Sequence, residues 1–399
     1  MTEKKPIVVM VKPVGSRCNM HCAYCYYLEK GRFSTHATQT VMDMDLLEKM
    51  IKETVEASPG SVVSFVWHGG EPTLAGLPFY RKALQLQRRY LPEGRTAWNN
   101  LQTNGLLLDD EWVSFLSRHG FDVGISLDGS ACVHDANRKD LGGHDTFERV
   151  KENVLRCVRA GIRPDLLCTV NAETVRDPLG VYKSLRDLNT GWIQFIPIVV
   201  RKEDGPVALE NAPGVKLSAE SVTPKQYGDF LCAVFDEWIT HDVGRTDVQL
   251  FAETARVLSG QEASLCWMAE TCGRVLIAEE DGAVYACDHF VDEEHRLGYL
   301  KDRPLQELAG LEAQEAFGQN KKSGLTAQCG ACPYLRFCNG ACPKDRFGVS
   351  SDGEAGQYVL CGGLQAFFAH ALPPMTAVMG WLKDGMEPEK AMRRVRRLL

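Results

Sequence analysis

Three cysteines near the start of the chain lie close enough together to bind one metal centre. Cys18, Cys22 and Cys25 occupy the stretch RCNMHCAYCYYLEK with C-x3-C-x2-C spacing. A 4Fe–4S cluster normally takes one protein ligand for each iron, so three thiolates leave one iron open to bind and activate a substrate. A zinc site or a group of buried free thiols is compatible with the same spacing. The spacing therefore predicts an open cluster, with these two alternatives.

A second group of cysteines lies in the C-terminal third of the chain. Its eight members are Cys266, Cys272, Cys287, Cys329, Cys332, Cys338, Cys342 and Cys361. Eight thiolates match two fully ligated 4Fe–4S clusters, and a pair of structural zinc sites is the alternative. The spacing alone does not divide the eight cysteines between two centres.

Four further cysteines are isolated in the sequence: Cys132, Cys157, Cys168 and Cys232. Each lies in or beside an apolar stretch, and small apolar thiols are common in protein cores. We expect three of the four to be core residues. Cys132 follows the stretch SLDG in a loop, and its role is left open.

Composition restricts the classes of partner and compartment. The chain has 399 residues, 15 cysteines and a formal charge of −7. It is long enough for two domains, and its charge predicts no binding to nucleic acid or to an anionic membrane. No apolar stretch approaches the length of a membrane span, and the N-terminal segment has the pattern of a strand rather than a signal peptide. We therefore expect a cytoplasmic protein, in which clustered cysteines bind metals rather than form disulfides.

Strand and helix patterns alternate through the first half of the chain. Short apolar stretches predict strands at 6–14, 62–70, 98–104, 121–129, 164–171 and 192–200. Amphipathic helices are predicted between them, for example at 43–57 and 177–188. Repeated strand–helix units predict a parallel sheet, and six units are too few for a closed eight-stranded barrel. We therefore expect an α/β fold with a partial (β/α)6 TIM-like barrel.

The remaining sequence divides into three further parts. The barrel is predicted at 1–235, a helical linker at 236–265, a cysteine-rich domain at 266–361 and a helical tail at 362–399. A polar stretch at 202–222 is predicted to be a loop over the mouth of the barrel. Parallel barrels place their functional residues at the carboxyl ends of the strands, where the three-cysteine loop and the motifs below also lie.

The three-cysteine loop, preceded by a strand and followed by aromatic residues, resembles the signature loop of the radical S-adenosylmethionine (SAM) superfamily. HGGEP (68–72), SLDG (126–129) and HDANR (134–138) also resemble motifs of that family. In the family, the open iron binds SAM, and reductive cleavage yields a 5′-deoxyadenosyl radical. The resemblance implies that SAM contacts Tyr24, Gly69, Gly70, Glu71, Ser126, Arg138 and Val199. Ser126 and Arg138 would reach its ribose and carboxylate, and Tyr24 and Val199 its adenine.

The C-terminal cysteines resemble the SPASM domain of radical SAM enzymes that modify peptides. This resemblance divides them into two sets, each implied to ligate one auxiliary 4Fe–4S cluster. Auxiliary set I consists of Cys266, Cys272, Cys287 and Cys342. Auxiliary set II consists of Cys329, Cys332, Cys338 and Cys361. The implied cofactors are therefore SAM and three 4Fe–4S clusters.

Across nearly its whole length the chain resembles the anaerobic sulfatase-maturating enzymes. The matching stretches include KPVGSRCNMHCAYCYYLEK, WHGGEPTLAG, CDHFV and CGACPYLRFCNGACPKDR. Members of that family oxidise a cysteine or serine, within a C/S-x-P/A-x-R segment of a sulfatase, to Cα-formylglycine. The resemblance implies two partners, a sulfatase polypeptide and an electron donor such as flavodoxin or ferredoxin.

Asp288, within CDHFV, is the candidate catalytic base. The oxidation removes a hydrogen atom, a proton and an electron, and a carboxylate beside the ligand Cys287 could accept the proton. The family resemblance implies the same role; a capping aspartate, or His289 as the base, is the alternative. Tyr27 resembles a substrate-contacting tyrosine, with core packing as its alternative.

Two other functions are compatible with parts of this pattern. The first is a SPASM enzyme that crosslinks or epimerises a ribosomally made peptide, but many such enzymes carry an N-terminal recognition domain. With the first cysteine at residue 18, the sequence favours the maturase. The second is a non-catalytic iron–sulfur or zinc scaffold or electron carrier, which leaves GGEP, Asp288 and the open site unexplained.

Overall fold

The computed structural model describes residues 7–27, residue 30 and residues 41–399. Residue 6, the first of the predicted strand 6–14, lies outside this range. The strands are β1 (Val8–Val11), β2 (Met20–Cys22), β3 (Val62–Trp67), β4 (Thr96–Thr103), β5 (Asp122–Ser126), β6 (Arg138–Asp140), β7 (Asp165–Val170), β8 (Trp192–Pro197), β9 (Val207–Ala208), β10 (Lys216–Leu217), β11 (Asp247–Val248), β12 (Val275–Ala278), β13 (Ala283–Tyr285), β14 (Arg296–Tyr299), β15 (Gly348–Val349) and β16 (Ala355–Gln357).

The helices alternate with the strands in the first half of the chain and dominate its end. They are α1 (Met44–Ala57), α2 (Gly76–Tyr90), α3 (Asp110–Arg118), α4 (Ala131–Asn137), α5 (Phe147–Arg159), α6 (Pro178–Arg186), α7 (Pro224–His241), α8 (Gln249–Leu258), α9 (Leu305–Ala309), α10 (Glu312–Ser323), α11 (Ala327–Gly330), α12 (Leu335–Cys338), α13 (Cys361–Lys383) and α14 (Pro388–Val395). Within the described ranges, no helix is both long and apolar enough to cross a membrane.

Local sequence explains where several helices begin. The side chain of Asp43 accepts hydrogen bonds from the first backbone N–H groups of α1, and Asp177 does the same for α6. Pro178 occupies the first turn of α6, where its missing N–H costs nothing. Thr223 and Gln226 form a capping box at the start of α7. The apolar face predicted for α1 is buried, as expected for an amphipathic helix that covers a sheet.

One ten-stranded sheet forms the centre of the molecule. Its order is β11-β8-β7-β5-β4-β3-β1-β12-β13-β14. The six strands from β8 to β1 are all parallel to their neighbours, and helices connect them. The predicted partial barrel is therefore confirmed, because six parallel strands alternate with helices in an open sheet. Their carboxyl ends lie on one side, and the residues that follow them form the candidate site.

The cysteine-rich part of the chain continues the same sheet. β12 pairs in parallel with β1, in the register Val8↔Val275 to Val11↔Ala278. β13 and β14 then add antiparallel strands. Residues that follow β1 and residues that follow β13 are thereby brought near each other, although more than 270 positions separate Lys12 from Asp288.

The C-terminal helix α13 packs closely against α7. A Cβ on Gly363 would lie 2.3 Å from the carbonyl oxygen of Pro224, and one on Gly228 would lie 3.0 Å from Gly363. The boundary predicted at residue 235 falls inside α7, so this helix belongs to both the barrel and the packing of the tail. The predicted polar loop 202–222 contains a short hairpin formed by β9 and β10.

Candidate active site

The three-cysteine loop is held against the chain that follows α4. β2 pairs with β6, and Cys22 lies opposite Arg138 in this pairing. Burial raises the pKa of Cys18 to about 11, and repulsion from Cys25 adds to this increase. Burial raises the pKa of Cys22 to about 12, and both other cysteines contribute. Three mutually repelling, half-buried thiols therefore form a donor set that suits a cationic iron centre.

The two glycines of HGGEP pack against this loop. The backbone N–H of Gly70 donates to the Gly15 carbonyl at 2.7 Å, and a Cβ on Gly70 would lie 2.0 Å from the Arg17 carbonyl oxygen. Gly69 has a φ of +136°, which non-glycine residues rarely adopt. Both glycines therefore allow a close approach to the backbone just before the first cysteine.

Glu71 is fully buried, and protein donors already use its carboxylate. Oε1 accepts from the Thr73 backbone at 3.0 Å and from the Thr103 hydroxyl at 2.7 Å, and Oε2 accepts from the Asn104 backbone at 2.7 Å. The Asn104 side chain in turn lies 3.6 Å from the sulfur of Cys18. Glu71 therefore joins the ends of β3 and β4 beneath the cysteine loop.

Arg138 and Tyr24 both bind a carboxylate that the sequence analysis did not single out. Asp128 is fully buried and accepts hydrogen bonds from Arg138 Nε at 3.0 Å, from Tyr24 and from the Thr169 backbone at 2.8 Å. Burial raises the pKa of Asp128, but Arg138, His134 and Tyr24 together outweigh this effect and leave the pKa below its usual value. The Arg138 guanidinium lies 5.5 Å from the centre of the Tyr24 ring. Asp128 thus fixes both predicted SAM contacts beside Cys22.

The other predicted SAM contacts lie after neighbouring strands. The hydroxyl of Ser126, at the end of β5, is 3.5 Å from Gln102 Nε2. A Cβ on Gly124 would lie 2.0 Å from the Gln102 side-chain oxygen, so glycine leaves room for this amide. Val199 is buried in the core just beyond β8.

Asp288 lies in a cluster of charged and aromatic groups. Its carboxylate forms an ion pair with Lys12 and accepts a hydrogen bond from Tyr26. Burial raises the pKa of Asp288, but Lys12, His68 and His289 together outweigh it and hold the pKa well below its usual range. Lys12 Nζ also lies 3.4 Å from Nδ1 of His68, which accepts from the Gly69 backbone at 2.8 Å. Asp288 is therefore a negatively charged group held in one orientation.

Tyr27, the predicted substrate contact, lies beneath this cluster. Its side chain is only 4% exposed, and its hydroxyl donates to Glu279. Lys12 Nζ lies 4.1 Å above the Tyr27 ring. Burial raises the pKa of Glu279 to about 8. The neighbouring Tyr26, 41% exposed, is the more accessible of the two tyrosines.

The structure brings the four cysteines of auxiliary set I together. Burial raises the pKa of Cys287 to about 12, and Cys342 and Cys266 add to the increase. Cys272 and Cys342 each also experience repulsion from Cys266. Cys342 thus lies with cysteines more than 50 positions earlier rather than with Cys338, four positions before it.

Auxiliary set II surrounds a cavity. All four of its cysteines line this cavity, together with residues that include Tyr334, Gln357 and Phe368. The Nε2 atom of Gln357 has no hydrogen-bond partner although it is buried. In the part of the chain that the structure describes, no three His, Cys, Asp or Glu side chains converge closely enough to hold a single metal ion. A cavity lined by four thiols, with an unpaired amide donor, fits a cluster.

The isolated cysteines differ from one another. Cys157 and Cys168 are fully buried, as predicted for core residues. Cys232 is half-buried, and Cys132 is exposed with its sulfur 3.3 Å from the Ser130 hydroxyl.

The sequence analysis missed several residues that organise the site. They are Lys12, Tyr26, His68, Asp128 and Glu279. Lys12, His68 and Asp128 each follow a parallel strand within a quoted motif, so their position at a strand's carboxyl end was an available signal. Glu279 follows β12, whose place beside β1 is not visible in the local pattern.

Comparison with known proteins identifies both parts of the chain. Residues 13–185 match the radical SAM superfamily, and residues 266–333 match SPASM, an iron–sulfur cluster-binding domain. The Streptococcus suis protein SuiB shares the fold with a TM-score of 0.56 and 13% identity, over 85% of this chain and 73% of SuiB.

Nearly full-length relatives come from one family. A serine-type anaerobic sulfatase-maturating enzyme of Bacteroides thetaiotaomicron is 40% identical over 394 residues, which cover 98% of this chain and 95% of the relative. A cysteine-type enzyme of Clostridium perfringens is 31% identical over 382 residues, covering 95% and 100%. The solved structure of native anSMEcpe with bound AdoMet and Cp18Cys peptide matches with a TM-score of 0.83 and 31% identity, over 94% of this chain and 99% of that one. With this extent of sequence and structural similarity, the chain belongs to the anaerobic sulfatase-maturating enzymes, within the radical SAM superfamily.

Proposed function

We propose that this protein oxidises a serine or cysteine of a sulfatase polypeptide to Cα-formylglycine under anaerobic conditions. The observation that carries the proposal is the match to a serine-type sulfatase-maturating enzyme over 98% of the chain. When bound, SAM and the clusters supply a 5′-deoxyadenosyl radical, which takes a Cβ hydrogen atom, and an acceptor for one electron. The residues of the chain hold these groups, orient the substrate and accept the remaining proton.

The proposed cofactors are SAM and three 4Fe–4S clusters. Cys18, Cys22 and Cys25 ligate the SAM-binding cluster, and auxiliary sets I and II ligate the other two. Arg138 binds the SAM carboxylate, a contact supported by its position opposite Cys22; Asp128 holds its Nε and Nη2 and thereby orients the guanidinium. The backbone at Gly69 and Gly70 and the hydroxyl of Ser126 complete the polar contacts, and Tyr24 and Val199 flank the adenine.

Glu71 acts on the SAM site indirectly. Its two carboxylate oxygens already accept hydrogen bonds from Thr73, Thr103 and Asn104. We therefore assign it to the support of the cysteine loop rather than to direct SAM contact.

Asp288 is the proposed general base. Conversion of a CH2–OH group to an aldehyde releases one hydrogen atom, one proton and one electron, and the proton goes to the Asp288 carboxylate. Its low pKa keeps Asp288 ionised before substrate arrives, which is the state a base requires. A proton on Asp288 weakens its ion pair with Lys12, so the ammonium group then becomes available to other acceptors. Tyr27 and the more exposed Tyr26 form the wall on which the substrate side chain rests.

Serine is the proposed target residue. The serine-type relative in Bacteroides thetaiotaomicron is 40% identical, whereas the cysteine-type relative in Clostridium perfringens is 31% identical. The proposed partners are a sulfatase segment with the motif C/S-x-P/A-x-R and an electron donor such as flavodoxin or ferredoxin.

The test is an anaerobic assay with matched peptides. The reconstituted protein is incubated with SAM, a reductant and peptides that carry S-x-P-x-R, C-x-P-x-R or A-x-P-x-R, and products are measured by mass spectrometry. We expect an aldehyde in the serine peptide, and deuterium transfer to 5′-deoxyadenosine when the serine Cβ carries deuterium. The alanine peptide is the control and yields no aldehyde.

Substitution of the base separates radical formation from oxidation. Asp288→Asn should still form 5′-deoxyadenosine but lose aldehyde by about 10²-fold or more, and the exposed Asp302→Asn serves as its control. If the wild-type protein forms 5′-deoxyadenosine but yields no aldehyde with any of the peptides, the sulfatase assignment is contradicted. A ribosomally made peptide is then the favoured substrate. No SAM cleavage in a fully clustered sample contradicts both functions.

A further inference from the structure

A partly buried arginine, Arg346, lies between the two auxiliary cysteine sets. The guanidinium of Arg346 donates to four backbone carbonyls, and these bonds use all three of its nitrogens. Nε donates to Gly340 at 2.7 Å and Nη1 donates to Lys321 at 2.6 Å. Nη2 donates to Asn339 at 2.7 Å and to Ala341 at 3.3 Å. Four hydrogen bonds from the five N–H donors hold the guanidinium in one place and orientation.

Three of the four carbonyls that Arg346 binds belong to an unusual backbone segment. Asn339, Gly340 and Ala341 have φ angles of +45°, +70° and +55°. Three successive left-handed residues are costly for an L-amino-acid chain, most of all at alanine. Arg346 offsets this cost by binding all three of their carbonyl groups.

This segment connects the two cysteine sets. Cys338, immediately before it, belongs to set II, and Cys342, immediately after it, lies with set I. The left-handed turn is therefore the point where the chain crosses from one proposed cluster to the other. A side chain that holds the turn acts on the position of one ligand in each set.

The charge of Arg346 also reaches both sets. It interacts electrostatically with Cys329 and Cys338 of set II and with Cys272 and Cys342 of set I. A second cation, Lys321, lies beside set I. Lys321 is 0% exposed, and its ammonium group binds the carbonyls of Cys266 and Trp267 at 2.8 Å.

The charge of Lys321 acts mainly on set I. Its strongest electrostatic partners among the cysteines are Cys266, Cys272 and Cys342. The next residue, Lys322, is exposed and pairs with Glu270 at the surface. Arg346 therefore interacts with both sets and Lys321 mainly with set I, whereas Lys322 is an exposed cation next to Lys321.

We propose that Arg346 is a positioning residue shared by the two auxiliary cluster sites, that its charge raises the reduction potential of both clusters, and that Lys321 raises mainly the potential of the set I cluster. This inference rests on the proposed presence of both auxiliary clusters. A thiolate-ligated cluster is anionic and becomes more negative on reduction, so a nearby buried cation stabilises the reduced form. The two clusters are thereby kept ready to accept an electron released during substrate oxidation.

The test is a potentiometric titration followed by electron paramagnetic resonance. It uses the full-length chain with Cys18→Ala, Cys22→Ala and Cys25→Ala, so that only the auxiliary clusters give a signal. Arg346→Gln removes the charge and keeps an amide donor, whereas Arg346→Lys keeps the charge. We expect Arg346→Gln to lower both midpoint potentials and Arg346→Lys to leave them closer to the wild-type values. Lys321→Met should lower mainly one potential, and Lys322→Met neither.

Iron and sulfide content separates the possible failures. A wild-type chain that binds fewer than two auxiliary clusters overturns the proposed cofactor set and this inference together. If Arg346→Gln holds two intact clusters but their two midpoint potentials do not both fall, the inference alone is overturned. If Arg346→Gln fails to assemble its clusters, the Lys321→Met variant decides the question. A fall in one midpoint potential that Lys322→Met does not show supports the electrostatic role. Potentials that are unchanged, or that both fall equally, overturn it.

Discussion

The ammonium group of Lys12 is paired with the carboxylate of Asp288, although 276 positions separate the two residues in the sequence. The Lys12 side chain is fully buried, and its charged end lies over the Tyr27 ring. Tyr26 donates to the other oxygen of the Asp288 carboxylate. Both oxygens of the proposed base therefore have a fixed partner, and the base is oriented before any substrate binds.

Loss of the Lys12 charge should impair oxidation more than SAM cleavage. Lys12→Met leaves the largely buried Asp288, whose side chain is 16% exposed, without its cation. The removal of one partner from a buried pair costs about 3–5 kcal/mol, and the partial exposure of Asp288 places this variant at or below the lower end. We expect 5′-deoxyadenosine to be formed while the yield of aldehyde per deoxyadenosine falls at least tenfold. The measurement is the ratio of the two products by mass spectrometry.

An exposed ion pair provides the control for Lys12. Lys225 and Asp229 form an i,i+4 pair on α7, and their side chains are 84% and 64% exposed. Lys225→Met should change stability by less than about 1 kcal/mol and leave the product ratio unchanged. Equal product ratios in Lys12→Met and the wild type would contradict the role of the buried pair.

Gly70→Ala should disturb the SAM-binding cluster. The new Cβ would lie 2.0 Å from the Arg17 carbonyl oxygen, so the backbone before Cys18 must move. We expect loss of iron from this cluster and weaker SAM binding, measured by iron analysis and by equilibrium binding of SAM. Gly60→Ala is the matched control, because its Cβ would have no neighbour nearer than 3.8 Å. Full cluster occupancy in Gly70→Ala argues against a tight contact between these two loops.

The contact between α7 and α13 should depend on Gly363. Its replacement by alanine places a Cβ 2.3 Å from the Pro224 carbonyl oxygen, and such overpacking costs about 1–3 kcal/mol. We expect a lower urea midpoint for Gly363→Ala. Gly380 is in the same helix with no atom near its Cβ position, so Gly380→Ala should be neutral or stabilising by up to about 1 kcal/mol. Equal midpoints for the two variants would be inconsistent with this close packing.

Asp165 should make stability depend on pH. Burial, with repulsion from Asp122, raises the pKa of Asp165 to about 6. The folded protein then binds a proton that the unfolded chain has already released, so stability is lost as pH rises through the folded pKa. Between pH 5 and 7.5 we expect the free energy of unfolding to fall by about 1 kcal/mol or less through this group, because solvent screens its partly exposed carboxylate.

The substitution Asp165→Asn should remove that part of the pH dependence. The variant is expected to gain stability over the wild type at both pH values, and more at pH 7.5 than at pH 5, as measured by urea unfolding. The exposed Glu93→Gln should show the wild-type dependence. If the free energy of unfolding of Asp165→Asn depends on pH as steeply as that of the wild type, the pH dependence belongs to other groups.

The local elements of the barrel could be predicted from the sequence because they depend on short-range patterns. Apolar stretches of strand length gave all six parallel strands, and the 3.6-residue period gave the buried face of α1. The extra strands β11 to β14 were not predicted. They are only two to four residues long, and a pattern this short does not distinguish a strand from a turn.

The candidate site was predictable to the extent that it consists of motifs. The spacing of Cys18, Cys22 and Cys25 and the stretch HGGEP indicated the chemistry without any structure. The partners of the predicted residues were not visible in the same way. Arg138 was expected to face SAM, and the structure shows that Asp128 holds it in place.

The ligand types, the strand–helix alternation and the family resemblance can be recognised from the sequence, because each depends on neighbouring residues. The contacts between distant groups depend on the tertiary fold. The parallel pairing of β12 with β1 joins the two halves of the chain, and Asp288 meets Lys12 in the joined structure. The crossing of the chain between Cys338 and Cys342 depends on a left-handed turn that Arg346 stabilises. Such contacts depend on packing between remote segments, and no local pattern in the sequence encodes them.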